Sequence, residues 1–128
     1  MKDDKRTARV AARIQEELAQ LLVRQVQDPR VRGVMVTSVS VTPDLLDARV
    51  RVRLASGDDA AARRALIAGL ASASGLLRRE LGTRLALRNA PRLSFHYDES
   101  VEKTRRIEEV LAEIARDPKA RDDDPKDE

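Results

Sequence analysis

The sequence predicts an α+β domain: a three-stranded sheet covered by helices on one face. Two observations predict it. Apolar residues recur at helical spacing in four stretches, while β-branched or strictly alternating runs fill three others. The two kinds of pattern follow one another in the order α-β-β-α-kink-α-β-α, with enough helix to cover a single sheet face.

The first helix spans about Arg6 to Val26. Val10, Ile14, Leu18, Leu21 and Leu22 share one face, and Arg9, Arg13, Glu16, Glu17 and Arg24 take the others. Asp28-Pro29 ends it, because the residue before proline is driven out of the helical region. Val34 to Val41 is dense in β-branched residues and reads as a strand. Val34 and Val36 share one parity, Val39 and Val41 the other. Either both faces are covered or a bulge near Thr37-Ser38 resets the register.

Thr42-Pro43-Asp44 makes a turn. The second strand follows, with Ala48, Val50, Val52 and Leu54 alternating against Arg49, Arg51 and Arg53. One face is core and the other a row of guanidinium groups. Ser56-Gly57-Asp58 closes the strand, and Asp58 or Asp59 caps the next helix.

From Asp59 to Leu87 the chain reads as helix, rich in Ala, Leu and Arg, with an interruption at Ala73-Ser74-Gly75. Glycine alone costs about 1 kcal/mol against alanine inside a helix. Ala62, Leu66 and Leu70 face inward before the break, and Leu77, Leu81 and Leu85 after it. Pro91 introduces a strand in which Leu93, Phe95 and Tyr97 alternate with Arg92, Ser94 and His96. A last helix starts at Asp98 or Ser100 and carries Ile107, Val110, Leu111 and Ile114 as its stripe.

Composition narrows the function classes. At 128 residues the chain makes one domain, placed at 1–116, with 117–128 as a tail. That tail holds six acids, three bases and two prolines, and its composition predicts disorder. The remainder is therefore the basic part, which favours a polyanionic partner. There is no cysteine, so disulfides, thiolate metal sites and thiol nucleophiles are absent. Their absence fits a cytoplasmic protein. No run of 18 apolar residues predicts a membrane span, and Met1 to Arg6 carries no secretory signal.

Catalysis finds no candidate constellation. His96 is the one histidine, and in an alternating strand it points away from Tyr97 on the next position. Paired acids such as Glu16-Glu17 and Glu108-Glu109 read as solvated helix faces. There is no phosphate-binding loop or dinucleotide fingerprint. The expectation is a protein without enzymatic activity, metal or cofactor.

The two aromatic residues, Phe95 and Tyr97, fall in phase with Leu93 on the core face. Stacking of bases on a sheet surface therefore has no side chains to use. Recognition of nucleic acid would rest on backbone approach, phosphate contacts and arginine. Those features meet at Ala73, Ser74 and Gly75, followed by Arg78, Arg79, Arg84 and Arg88. The row Arg49, Arg51 and Arg53 is a second basic feature, whose alternative reading is an open sheet face kept soluble.

These residues resemble a known family. The opening helix ends in Gln27-Asp28-Pro29-Arg30. Val36-Thr37-Ser38-Val39, Pro43-Asp44-Leu45, Ala48-Arg49-Val50-Arg51-Val52 and Ala73-Ser74-Gly75-Leu76-Leu77-Arg78 follow in order. Glu80-Leu81-Gly82, the block Arg88 to Phe95 and Tyr97-Asp98-Glu99-Ser100 complete the set. Together, over about residues 5–114, they resemble ribosome-binding factor A, a bacterial family of small-subunit maturation factors. The resemblance implies a type II KH-like fold with Ala73-Ser74-Gly75 in place of the usual Gly-x-x-Gly loop. It implies binding to the free 30S subunit at 16S rRNA and assistance in late rRNA processing and folding. A link to cold adaptation and work alongside assembly GTPases are also implied. The expected partner set is the 30S subunit and 16S rRNA, met by a monomer.

Overall fold

The structure is a computed structural model that describes residues 2–56 and 58–116. The predicted tail, 117–128, lies outside the described residues. Two compact units are present, the first ending at Asp98 and the second beginning at Glu99.

The first unit opens with α1, Lys2–Arg24. Ile14, Leu18, Leu21 and Leu22 are buried along one stripe, as the spacing predicts; Val10 is half-buried against the core, and Ala11, outside the expected set, is buried with them. Asp28 is extended, and its carboxylate accepts the Arg30 amide to cap a 3-10 turn over Pro29–Val31. The Arg30 guanidinium also reaches back, with Nη2 2.6 Å from Oδ2. The side-chain hydrogen bond from Arg30, then its backbone N–H, hold the Asp28 carboxyl below the ordinary carboxylate value.

Strand β1 runs Val34–Val41 and β2 runs Asp47–Leu54. They pair antiparallel, with the register shifting between Val36 and Ser38. Thr37 is the extra residue of the bulge. It turns Val36 and Val39 to the same side, which resolves the parity change in the sequence. Thr37 Oγ1 donates to Asp98 Oδ2 at 2.6 Å, tying the bulge to the residue after the third strand. The hairpin turn is built from Pro43 and Asp44, with Leu45 left-handed at φ 61°. Thr42 Oγ1 donates to Asp44 Oδ1, which also accepts the Leu46 amide.

Strand β3, Arg92–Tyr97, pairs parallel with β2, giving the order β1-β2-β3. The long helix α2, Ala60–Arg84, makes the crossover between β2 and β3, capped by Asp59 on the Ala62 amide. α1 and α2 cover one face of the sheet. Ile14, Leu18 and Leu21 from α1 join Leu66, Leu70, Leu77 and Leu81 from α2 against Val50 and Val52, all fully buried. Each such side chain contributes about 1.5–3 kcal/mol on leaving water. No polar or charged side chain is buried among the described residues. The architecture is α+β and KH-like.

The interruption at 73–75 is corrected by the structure. α2 is one 25-residue helix, and Gly75 keeps a negative φ. The apolar stripe explains why: Leu66, Leu70, Ala73, Leu77 and Leu81 follow one another by four, three, four and four residues. Their helical phase is unbroken across Ser74 and Gly75, and burial on the sheet outweighs the propensity cost of glycine. Ser74 Oγ donates to the Ala71 carbonyl at 2.8 Å and so stays within its own helix.

The second unit contains α3, Ser100–Arg116, which has no buried residue. Ile107, Val110, Leu111 and Ile114 lie along one side and are exposed.

Candidate nucleic-acid interface

The solvent-facing side of α2 is set by the phase of its apolar stripe. At 3.6 residues per turn, Gly75 and Gly82 fall about 140–160° from the middle of that stripe. Arg78 and Arg79 flank them on either side. A Cβ at Gly75 would meet nothing within 4 Å, so the helix surface there is open.

The helix then stops in a Schellman arrangement. The Leu87 amide donates to the Gly82 carbonyl at 3.0 Å, and Ala86, left-handed at φ 52°, donates to Thr83. This reversal folds residues 87–90 back beside the last two turns. A Cβ at Gly82 would stand 3.4 Å from the Ala90 Cβ, so the returning segment comes within one ordinary van der Waals contact of that position.

Helix and return segment enclose a shallow basic concavity of about 560 Å³. Gly75, Arg78, Arg79 and Gly82 line one wall, Arg88, Asn89 and Ala90 the other, and no carboxylate enters the lining. Arg78 Nε donates to the Ala90 carbonyl at 3.0 Å, which spans the two walls and fixes that guanidinium plane. The Arg79 and Arg88 side chains have no hydrogen-bond or ion-pair partner among the described residues. The groove therefore offers one positioned and two unengaged guanidinium groups to an anion.

Of the sequence-derived candidates, the structure brings together Gly75, Arg78, Arg79 and Arg88. It does not bring the rest to the same place. Ala73 is half-buried and packs on the core. Ser74 neighbours Gly75 but does not line the groove. Arg84 turns toward α1, where its Nη1 lies 3.1 Å from Glu17 Oε1, both side chains about a quarter exposed. Arg49, Arg51 and Arg53 stand on the face of the sheet opposite α1 and α2. Asn89 and the glycine at 82 were missed. Asn89 follows the helix in a segment with no periodicity to place it, and Gly82 registers in sequence only as a weak helix position. His96 is exposed, with Nε2 3.3 Å from Ser94 Oγ.

Among the described residues there is no group of three or more His, Asp or Glu side chains that could hold a metal. No helix there is long and apolar enough to cross a membrane.

Comparison with known proteins gives a consistent result. The family model described as ribosome-binding factor A matches residues 6–111. A protein of that description from Sorangium cellulosum is 52% identical over 111 residues, covering 86% of this chain and 89% of its own. The crystal structure of the Thermus thermophilus ribosome-binding factor A superimposes with a TM-score of 0.63 at 24% identity, covering 71% of this chain and 93% of that one. A homology model of the same Thermus protein, fitted into a cryo-electron microscopy map of its 30S complex, superimposes with a TM-score of 0.50 at 24% identity. It covers 68% of this chain and 93% of that one.

Proposed function

The chain belongs to the ribosome-binding factor A family, and on that premise we propose that it binds the free 30S ribosomal subunit through 16S rRNA. There it assists the late maturation of that RNA, including processing of its 5′ end. The observation that carries this reading is the groove on α2: an open helix surface beside Arg78, Arg79 and Arg88, with no acid in the lining.

The groove has the chemistry of a phosphate site. Guanidinium groups pair bidentately with phosphate oxygens, and the missing Cβ at Gly75 lets a sugar-phosphate backbone come close to the helix. No aromatic ring lines it, so the contact reads backbone shape more than base identity. The family's name and the 30S complex of the Thermus relative point to the particle on which such a site acts.

The protein works as a non-enzymatic, cytoplasmic monomer that needs no cofactor. It favours one rRNA conformation and shifts the population toward it. Assembly GTPases act beside it, and the need for it grows in the cold, when RNA misfolds persist longer.

Co-sedimentation with separated 30S, 50S and 70S particles tests the reading. Native protein is expected with 30S alone, and an Arg79→Glu/Arg88→Glu variant that melts normally is expected to stay in the supernatant. Equal recovery of that variant with 30S overturns the assignment of the surface. Recovery of native protein with 50S, or with no particle, overturns the function.

A further inference from the structure

The sheet has a second basic surface, and it faces the other way. Ala48, Val50, Val52 and Leu54 are buried beneath α1 and α2, so Arg49, Arg51 and Arg53 point out of the opposite side of the sheet. The groove lies on the outward side of α2. Between the two surfaces stand the sheet and the full thickness of a helix, about 10 Å with its side chains. A straight segment of RNA held in the groove does not touch the arginine row.

The register arranges donors around that row. Ser40, Arg49 and Ser94 lie abreast on the three strands, and so do Ser38, Arg51 and His96. Arg49 and Arg51 are thus flanked, about 4.8 Å to either side, by a hydroxyl or imidazole, whereas Arg53 lies beside Met35. Along β2 the guanidinium groups repeat every second residue, roughly 6.7 Å apart. Arg49 and Arg51 are exposed and have no partner among the described residues. The carboxylate of Asp47, at the end of the row, is already held by Arg92, with Nε 3.0 Å from Oδ1 and Nη2 3.1 Å from Oδ2. Cations in register with neutral donors suit a regular array of phosphates. The face carries no Phe, Tyr or Trp, and its one ring is the exposed imidazole of His96 on the edge strand β3. A run of splayed bases has no series of rings to stack on, which favours the backbone of a duplex.

We propose that this sheet face is a second RNA-binding surface, one that grips the backbone of an RNA duplex while the groove on α2 holds another segment. It rests on the RNA-binding reading above and extends it: the protein bridges two rRNA segments, and maturation is helped by the geometry it imposes between them.

The test is stoichiometric, with a short RNA hairpin of mixed sequence as the probe. In sedimentation with hairpin in excess, native protein takes up two hairpins. An Arg49→Gln/Arg51→Gln variant takes up one, and an Arg79→Gln/Arg88→Gln variant takes up one. Each double variant lowers the slope of log affinity against log salt by roughly 1.4–1.8, the loss of two phosphate contacts. Thermal melts of the variants, unchanged from native, exclude unfolding. A native stoichiometry of one, with only the groove variant weakened, overturns the bridging surface and leaves the proposed function standing. No weakening by either variant overturns both. If the sheet variant loses 30S association while its hairpin uptake and salt slope stay native, the face meets protein, and its assignment to RNA is overturned.

Discussion

A methyl group added to Gly69 of α2 would stand 2.9 Å from Cγ2 of Val31, closer than real side-chain carbons come. Arg30 Cβ at 3.2 Å and Asp28 Oδ2 at 3.3 Å close the same space. The 3-10 turn after α1 therefore lies directly on the helix backbone. Gly69→Ala gains about 1 kcal/mol of helix propensity. It also overpacks a stiff, β-branched neighbour that is itself buried, at a cost of roughly 1–3 kcal/mol. Net destabilisation of about 1 kcal/mol is expected by urea unfolding. Unchanged or increased stability would mean that the turn moves off the helix freely.

Ala86 poses the opposite case. It occupies the left-handed C′ position of the cap on α2, where a Cβ costs roughly 1 kcal/mol. Ala86→Gly removes that strain while adding backbone entropy to the unfolded chain. A net gain of a few tenths of a kcal/mol is expected, with the groove unaltered. Thermal melting measures the gain, and binding to 30S subunits is expected to match native. A loss of stability would show that the φ of 52° carries no strain here.

Much of this was legible in the sequence. The β2 alternation, the α1 stripe and the turn at Pro43-Asp44 each follow from local periodicity or a residue with fixed backbone demands. The bulge at Thr37 was visible as a parity change, though the pairing partner was needed to choose it over a doubly covered strand. The break expected at 73–75 rests on propensity taken one residue at a time, and the continuous helix α2 overrides it. The unbroken phase from Leu66 to Leu81 was present in the same residues and carries more energy. The groove was half legible: Arg78, Arg79 and Arg88 are plain as charge. Which of the four arginines at 78, 79, 84 and 88 stays available depends on Glu17, 67 residues before Arg84, and no local pattern reports so distant a partner.

That partner separates Arg84 from the other arginines experimentally. The pair with Glu17 is partly shielded from solvent and joins α1 to the end of α2. Arg84→Gln is expected to cost up to about 1 kcal/mol of stability, with RNA binding close to native. Arg79→Gln is expected to do the reverse: native stability and weaker binding with a shallower salt dependence. Equal losses of affinity from the two variants would place Arg84 in the interface.

Two carboxylates give the stability an acid edge. Asp28 is held below its ordinary value of 3.8 chiefly by the Arg30 side chain, then by its amide. Asp44 is held below the same value by the Thr42 hydroxyl, then by the Leu46 amide. A folded-state value below the unfolded one means that the unfolded chain binds the proton more tightly. The contribution is fully present above about pH 4 and is lost as pH falls through the folded value. Asp28→Asn is therefore expected to lower the melting temperature at neutral pH, with the gap to native narrowing below about pH 4. A gap that is constant down to pH 2 would mean that charge plays no part.

The last relationship closes the far end of the sheet. The Tyr97 hydroxyl accepts the Leu54 amide at 3.0 Å where β2 ends, and lies 3.4 Å from Asp58 Oδ2. The Arg63 guanidinium sits 4.4 Å over its ring and reaches the same carboxylate at 3.2 Å. Tyr97→Phe keeps the ring and its cation–π contact but removes the acceptor of a nearly buried amide. An orphaned donor of that kind costs about 1–3 kcal/mol. Tyr97→Leu loses the ring as well, adding about 0.5–2 kcal/mol. Urea unfolding of the two variants measures both steps, and hydrogen exchange at Leu54 is expected to speed up in Tyr97→Phe, because its amide then bonds only to passing water. Retained protection at Leu54 with unchanged stability would show that the strand end is held by the ladder alone and that the hydroxyl is incidental.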